Sequence, residues 1–96
     1  TSVSFQNTQT KEKKDFPTSA AFVAIGQLPD NERFANVVSL QKGFILTDEM
    51  MACKTPGIFA CGDCRDKKVR QLTTACGDGA IAALSASNYV FNLLHA

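Results

Sequence analysis

A short apolar run, a Gly-Asp pair and a long helical pattern follow one another between residues 58 and 94. Ile58 to Cys61 predict a buried strand, which ends at Gly62-Asp63. From about Arg70 onward we predict one closing helix, which either is capped by Thr73 or Thr74 or begins one turn earlier. Its buried face is expected to carry the apolar and small residues at helical spacing, which are Ala80, Ala83, Leu84, Ser87, Phe91 and Leu94. Strands followed by such a helix predict an α/β fold.

The first residues predict two short strands around a polar loop. Val3 and Phe5 alternate with polar residues, which is the pattern of a half-buried strand. Residues 6–15 contain no aliphatic side chain and predict a solvated loop. The second strand is expected to begin at Phe16.

Three further segments precede the Gly-Asp pair. Residues 20–25 (AAFVAI) form a continuous apolar run and predict a strand covered on both faces. Residues 30–40 are expected to be irregular, with a possible helical turn around Glu32 to Phe34. Residues 43–48 predict another short strand.

Composition and charge exclude several classes of protein. The chain has 96 residues, of which 45% are hydrophobic and 20% charged, so it is large enough for one small globular domain. Its net charge of +1 gives no field that would attract nucleic acid or an anionic membrane. No apolar run approaches the roughly 20 residues that a bilayer helix needs. Four cysteines are too few for a disulphide scaffold, and we expect a cytoplasmic protein.

A glycine-rich segment near the end of the chain matches a nucleotide-binding pattern. Residues 77–82 (GDGAIA) satisfy G-x-G-x-x-G/A. A dinucleotide fingerprint opens a βαβ unit and is followed about 20 residues later by an acidic residue, and neither condition is met. We therefore place Gly77 and Gly79 inside the closing helix, where glycine allows a strand or a flat ligand to come close.

Cys61 and Cys64 form a C-x-x-C pair. Such a pair serves as a redox dithiol or as half of a zinc site in other proteins. Redox pairs lie at helix N-termini, whereas Cys61 ends an apolar run, and no second closely spaced pair supplies zinc ligands. We favour small buried thiols and predict no metal ligands, with dithiol or metal use as the alternative.

The Gly-Asp pair occupies the position at which α/β proteins bind ligands. Ligands lie at the carboxyl ends of the strands, where Gly62 would leave space and Asp63 would accept hydrogen bonds from hydroxyl groups. Arg70, Gln71 and Leu72 lead into the helix, whose first N–H groups stabilise negative charge. The residues alone leave a second interpretation equally open, in which Asp63 is a turn residue and Arg70 a surface cation.

Five motifs follow one another between Phe22 and Tyr89. They are Phe22-Val23-Ala24-Ile25-Gly26-x-x-Pro29, Gly43-Phe44-Ile45-x-Thr47-Asp48, Thr55-Pro56-Gly57-Ile58-Phe59-Ala60-x-Gly62-Asp63, Arg65-Asp66, and Arg70-Gln71-x-x-Thr74-Ala75-x-Gly77-x-Gly79. Together they resemble the C-terminal third of low-molecular-weight thioredoxin reductases, in the pyridine nucleotide-disulphide oxidoreductase family. The flavoprotein subunit of alkyl hydroperoxide reductase ends similarly, but usually with Lys-Gln in place of Arg70-Gln71, and is the second choice.

The resemblance implies an FAD-binding segment of a Rossmann-like domain. Asp63 would bind the ribityl chain of FAD and Gly62 would give clearance. Arg70 and Gln71 would lie beside the isoalloxazine, with the backbone N–H of Gln71 or Leu72 facing its pyrimidine edge. Residues 1–24 would be the last strands of an NADPH domain and residues 25–96 the closing segment of an FAD domain. The complete oxidoreductase is a flavoprotein that reduces thioredoxin with NADPH, and a homodimer or the remainder of the flavoprotein is the expected partner.

The chain departs from this family pattern in its missing motifs. It has no nucleotide-binding fingerprint and no redox cysteine pair of the family type, so the resemblance implies no catalytic residue here and no turnover by this chain alone. The expected function is therefore the flavin-binding part of a thioredoxin-disulphide reductase. The alternative is a stand-alone interaction or dimerisation module that has lost flavin binding.

Overall fold

A computed structural model describes all 96 residues and contains five regular elements and two short 3-10 turns. The strands are β1 (Ser2–Gln6), β2 (Lys13–Pro17), β3 (Leu40–Gln41) and β4 (Phe44–Ile45), and the helix is α1 (Leu72–Leu94). The 3-10 turns are Glu32–Phe34 and Gly62–Cys64. The α/β class, with short strands and one long closing helix, is as predicted.

Strands β1 and β2 form the antiparallel hairpin that the first residues predict. Val3 lies opposite Phe16, and the rings of Phe5 and Phe16 meet edge to face at 5.3 Å. The second strand begins at Lys13 instead of Phe16. Asn7 shapes the turn, because its Oδ1 accepts hydrogen bonds from the backbone N–H groups of the two residues at positions 9 and 10.

Residues 20–25 do not form the predicted buried strand. The segment has no regular structure, and Phe22 is 99% exposed. Its backbone makes no hydrogen bond to other backbone groups, because both two-stranded sheets of the chain are built from other segments. Apolar character alone does not make a strand, since strand structure also requires a neighbour for the N–H and C=O groups.

Strands β3 and β4 form a second, smaller antiparallel hairpin. Lys42 and Gly43 both have positive φ, at 51° and 83°, as a two-residue turn between such strands requires. The predicted strand over residues 43–48 is thus shortened to Phe44–Ile45. The irregular structure of residues 30–40 is as predicted up to Leu40, which begins β3, and the helical turn lies at Glu32–Phe34.

The predicted buried strand at Ile58 to Cys61 is reduced to a single bridge. Phe59 pairs with Ala52, while Ile58, Phe59 and Ala60 are half-buried and Cys61 is exposed. Only one short segment lies alongside this run, so it gains one ladder contact and no second covering layer.

Helix α1 exists where the pattern predicts it, but it buries a different face. Its buried residues are Asp78, Ala82 and Ser85, and all six residues of the predicted stripe are exposed. The chain packs its turn at Gly62–Cys64 against the side of α1 that carries Asp78, where ion pairs form. Of the two predicted starts the structure has the earlier one, because Gln71 is the N-cap residue. Thr74 supports this start by accepting a hydrogen bond from the Gln71 N–H at 3.1 Å.

The core is small. Only four apolar residues are buried, namely Val38, Ile45, Met51 and Ala82, and the chain extends 67 Å along its longest axis. No helix of the chain combines the length and the apolar character that crossing a membrane requires. The hairpin β3–β4, the turn after residue 61 and the first half of α1 together form the part that positions the candidate site.

Candidate functional site

The predicted site residues lie together around the turn at Gly62–Cys64. Arg70 Nε donates a hydrogen bond to the carbonyl oxygen of Asp63 at 3.1 Å, which brings the start of α1 to the Gly-Asp pair. Gln71 and Leu72 follow Arg70 directly and begin the helix. The five residues that the sequence singles out therefore form one cluster.

Gly62 is required by the backbone of the turn. Its φ is +81°, which side chains of L-residues disfavour, and its N–H is buried against α1. A Cβ at this position would stand 3.7 Å from the Cβ of Ala75, which is an ordinary contact. Within this chain glycine is therefore needed for conformation, and clearance for a ligand stays a prediction.

Asp63 presents a free carboxylate to an open cleft. Its side chain is exposed and makes no hydrogen bond or ion pair within the chain. The cleft has a volume of about 380 Å³ and mixes polar and apolar residues, which are Gln27, Leu28, Pro29, Asp30, Asn31, Phe44, Asp63 and Cys64. A carboxylate with no internal partner at such a position can accept hydrogen bonds from a ligand.

Asn31 fixes the walls of this cleft. Its buried side-chain amide donates to the carbonyl oxygens of Gly43 at 2.9 Å and Cys64 at 3.2 Å. These two bonds connect the segment before the first 3-10 turn to the β3–β4 turn and to the Gly-Asp turn. Asn31 was not predicted from the sequence, although it lies two residues after Pro29, which ends one of the matching motifs.

Arg70 acts as a clamp on the turn. Besides its bond to Asp63, its Nη2 donates to the carbonyl oxygen of Arg65 at 2.9 Å. The guanidinium also lies 3.8 Å from the centroid of the Phe44 ring, which is a close cation–π contact. Two N–H donors of the Arg70 side chain are therefore hydrogen-bonded within the chain, and one face of the guanidinium packs on the Phe44 ring.

The start of α1 leaves polar groups available beside the clamp. The backbone N–H groups of Leu72 and Thr73 make no hydrogen bond within the chain. Such groups, together with the positive end of the helix dipole, favour negative charge. Leu72 is exposed and contributes no packing to the core.

Asp78 is the strongest electrostatic feature of the site, and like Asn31 it was not predicted from the sequence as a functional residue. One oxygen, Oδ2, accepts hydrogen bonds from the Gly62 N–H at 3.0 Å, Arg65 Nη1 at 2.8 Å and Lys67 Nζ at 2.9 Å. The bond from Lys67 is the largest cause that lowers the pKa of Asp78 to about 2, and the bonds from Arg65 and Gly62 add to it against the opposing effect of burial. An isolated acidic residue among small residues of a helix was the available signal.

Arg65 connects this network to the second hairpin. Its Nε donates to Thr47 Oγ1 at 2.8 Å while its Nη1 bonds to Asp78. Residue 65 also forms a parallel bridge with Ile45, and the N–H of Asp66 donates to the Ile45 carbonyl at 2.8 Å. The sheet, the turn and the helix are therefore held by one set of polar contacts.

The four cysteines are free thiols. Cys64 is half-buried and its Sγ donates to the carbonyl oxygen of Cys61 at 3.2 Å, and burial raises the pKa of Cys64. The expectation of two buried thiols is wrong for Cys61, which is exposed. No three side chains of His, Cys, Asp and Glu lie together as potential metal ligands.

The helix glycines have open surroundings in this chain. Gly77 and Gly79 lie inside α1 as predicted, and apart from the adjacent residues and the backbone of the helix itself no atom lies within 4 Å of the position that a Cβ would take. The strand or flat ligand that was expected to lie close to these two glycines is therefore not part of this chain.

Short strands and one long helix define an α/β protein. The turn at Gly62 and the free carboxylate of Asp63 lie beside an open cleft, at the position where α/β proteins bind ligands. The family model described as pyridine nucleotide-disulphide oxidoreductase matches residues 1–79. The chain belongs to this family, and the resemblance found in its motifs is confirmed.

Several of the similar proteins are thioredoxin reductases. The thioredoxin reductase of Bacillus subtilis is 44% identical over 92 residues, which are 95% of this chain and 29% of that protein. The crystal structure of the enzyme from Streptococcus pyogenes has a TM-score of 0.70 and 36% identity, and that of the Lactococcus lactis enzyme has 0.68 and 39%. Both structures are matched over 95% of this chain and 30% of their own, so the chain spans about 30% of the length of these relatives.

Proposed function

We propose that this chain is the flavin-binding part of an NADPH-dependent thioredoxin-disulphide reductase. The observation that carries the proposal is the free carboxylate of Asp63 at an open cleft beside the start of α1, in a chain of this family. Residues 25–96 would belong to the FAD domain, because all residues that line the cleft lie within this range. Residues 1–24, with the β1–β2 hairpin, would belong to the NADPH domain. A cytoplasmic location is part of this proposal.

The donors and acceptors of the site fit FAD. Asp63 offers a carboxylate that nothing in the chain occupies, and the ribityl chain of FAD carries hydroxyl donors for it. The free N–H groups at the start of α1 suit the part of the flavin that gains negative charge on reduction. Bound FAD would supply the transfer of reducing equivalents from NADPH to a disulphide. This chain would bind and orient the flavin, and we assign it no catalytic residue.

Replacing Asp63 with alanine tests the proposal. We would build a chimera in which this chain replaces the stretch it matches in the Bacillus subtilis relative, and measure FAD retention by equilibrium dialysis. Loss of hydrogen bonds to a charged acceptor should weaken FAD binding at least about tenfold. The control is Asp66→Ala, a nearby exposed carboxylate whose loss should leave retention unchanged. Equal retention by both variants, or none by the unaltered chimera, would reject the proposal.

A second candidate function is an interaction module without flavin. The observation that favours it is the run of exposed apolar side chains at Phe22, Ile25 and Leu28. Unpaired apolar segments associate with other chains. If this function holds, light scattering of the 96-residue chain should show a mass that rises with concentration while no flavin is retained. A constant monomer mass would exclude it.

A further inference from the structure

Asp78 holds both ends of the turn that carries Asp63. Its Oδ2 accepts from Gly62 on one side of Asp63 and from Arg65 and Lys67 on the other. Its side chain is only 12% exposed, so the three donors largely enclose it. A single oxygen on α1 thus fixes residues 62–67 at three points.

Arg70 fixes the same turn independently of Asp78. It bonds to the carbonyl oxygens of Asp63 and Arg65, whereas Asp78 bonds to an N–H and two cationic side chains. The backbone of Asp63 therefore has restraints from two directions while its carboxylate stays free. An arrangement that restrains the backbone and leaves the functional group unbonded preorganises that group for a ligand.

We propose that Asp78 is a positioning residue for the flavin site, which sets the direction in which Asp63 presents its carboxylate. The inference rests on the proposed function and deepens it. Asp78 itself does not face the cleft, since its oxygen is engaged by Gly62, Arg65 and Lys67 and it is not among the residues that line the cleft. It acts on a ligand only through the turn.

The first test measures the turn in the full 96-residue chain. Asp78→Asn keeps the side-chain shape but removes the charge, and the control Asp66→Asn makes the same change at an exposed carboxylate of the same segment. Hydrogen exchange of the Gly62 amide, followed by NMR, should become about tenfold faster in Asp78→Asn, because a charge-assisted bond to this amide is lost. It should be unchanged in Asp66→Asn. Equal rates in all three proteins would overturn the proposal.

The second test measures the flavin in the chimera described above. Asp78→Asn should lower FAD affinity by about tenfold, the effect of about one strong hydrogen bond. The flavin that remains bound should show a shifted visible absorption band. A variant that is merely less stable would retain less flavin with an unchanged band, so an unchanged band would contradict a positioning role.

The two tests separate this inference from the proposed function. If Gly62 responds in Asp78→Asn while FAD affinity and spectrum stay as in the unaltered chimera, the inference fails and the proposed function stands. If Gly62 responds but the unaltered chimera binds no FAD, the proposed function fails, and with it the flavin role of Asp78, although the control of the turn by Asp78 is established.

Discussion

Replacing Asp78 with alanine should cost about 3 kcal/mol in the free energy of unfolding, the usual cost of breaking a largely buried ion pair from one side. The substitution leaves Arg65 and Lys67 facing each other without an acidic partner, and their side chains are only 13% and 11% exposed. It also leaves the Gly62 N–H without its acceptor. For a chain with four buried apolar residues, such a loss is a large part of the total stability.

Urea unfolding followed by far-ultraviolet circular dichroism measures this effect. The matched control is Asp63→Ala, which removes a carboxylate that has no partner in the chain and should change stability by no more than about 0.5 kcal/mol. If the two variants unfold at the same urea concentration, the network around Asp78 contributes nothing beyond a surface charge.

The same network makes the free energy of unfolding depend on pH in the acidic range. The pKa of Asp78 is lowered from 3.8 to about 2, so its ionised form is favoured in the folded chain. Its contribution is fully present above about pH 4 and disappears as the pH falls through about 2. The contribution of the charge is about 2 kcal/mol, the free energy that corresponds to lowering the pKa from 3.8 to about 2. In the Asp78→Asn variant, the free energy of unfolding should therefore lack the decrease that Asp78 causes between about pH 4 and about pH 2.

The hairpins show what local sequence determines. Alternation of Val3 and Phe5 with polar residues was enough to predict β1. The second hairpin was not predicted, because Gly43 was assigned to a strand over residues 43–48, whereas it lies in the two-residue turn at positive φ. Residues 20–25 show the limit of such patterns. Their apolar run predicts a strand, but the neighbour that a strand needs depends on where distant segments lie.

Of the five site residues predicted from the sequence, only Asp63 lines the cleft, and Arg70 contacts the turn that carries it. Their roles in ligand binding stay predictions, which rest on the recurrence of ligand sites at this position in α/β proteins. Asp78 was seen only as the middle of a glycine pattern. Its role depends on a contact across the fold, between α1 and the Gly62 turn, that spacing along the chain does not encode. The buried face of α1 that was predicted from its apolar stripe is wrong for the same reason, because the ion pairs of Asp78 determine which face is buried.

Ile45→Ala should destabilise the chain by about 2–4 kcal/mol, the range for removing most of a buried aliphatic side chain. Ile45 is 6% exposed, and its backbone carries both the pairing to β3 and the hydrogen bond from Asp66. The neighbouring residues already line an apolar cavity of about 370 Å³. Truncation of Ile45 would enlarge this cavity and remove van der Waals contacts on the side of the β3–β4 hairpin that faces the second 3-10 turn.

The chain offers a control with the same chemistry for this substitution. Ile25→Ala removes the same atoms from a side chain that is 92% exposed, and should change the free energy of unfolding by less than about 0.5 kcal/mol. Urea unfolding of the two variants separates burial from residue type. Because Ile45 joins the hairpin to the turn that carries Asp63, the loss in Ile45→Ala should be accompanied by faster hydrogen exchange at Gly62. Equal stability of the two variants would mean that the polar contacts around Asp78 hold this region without the apolar core.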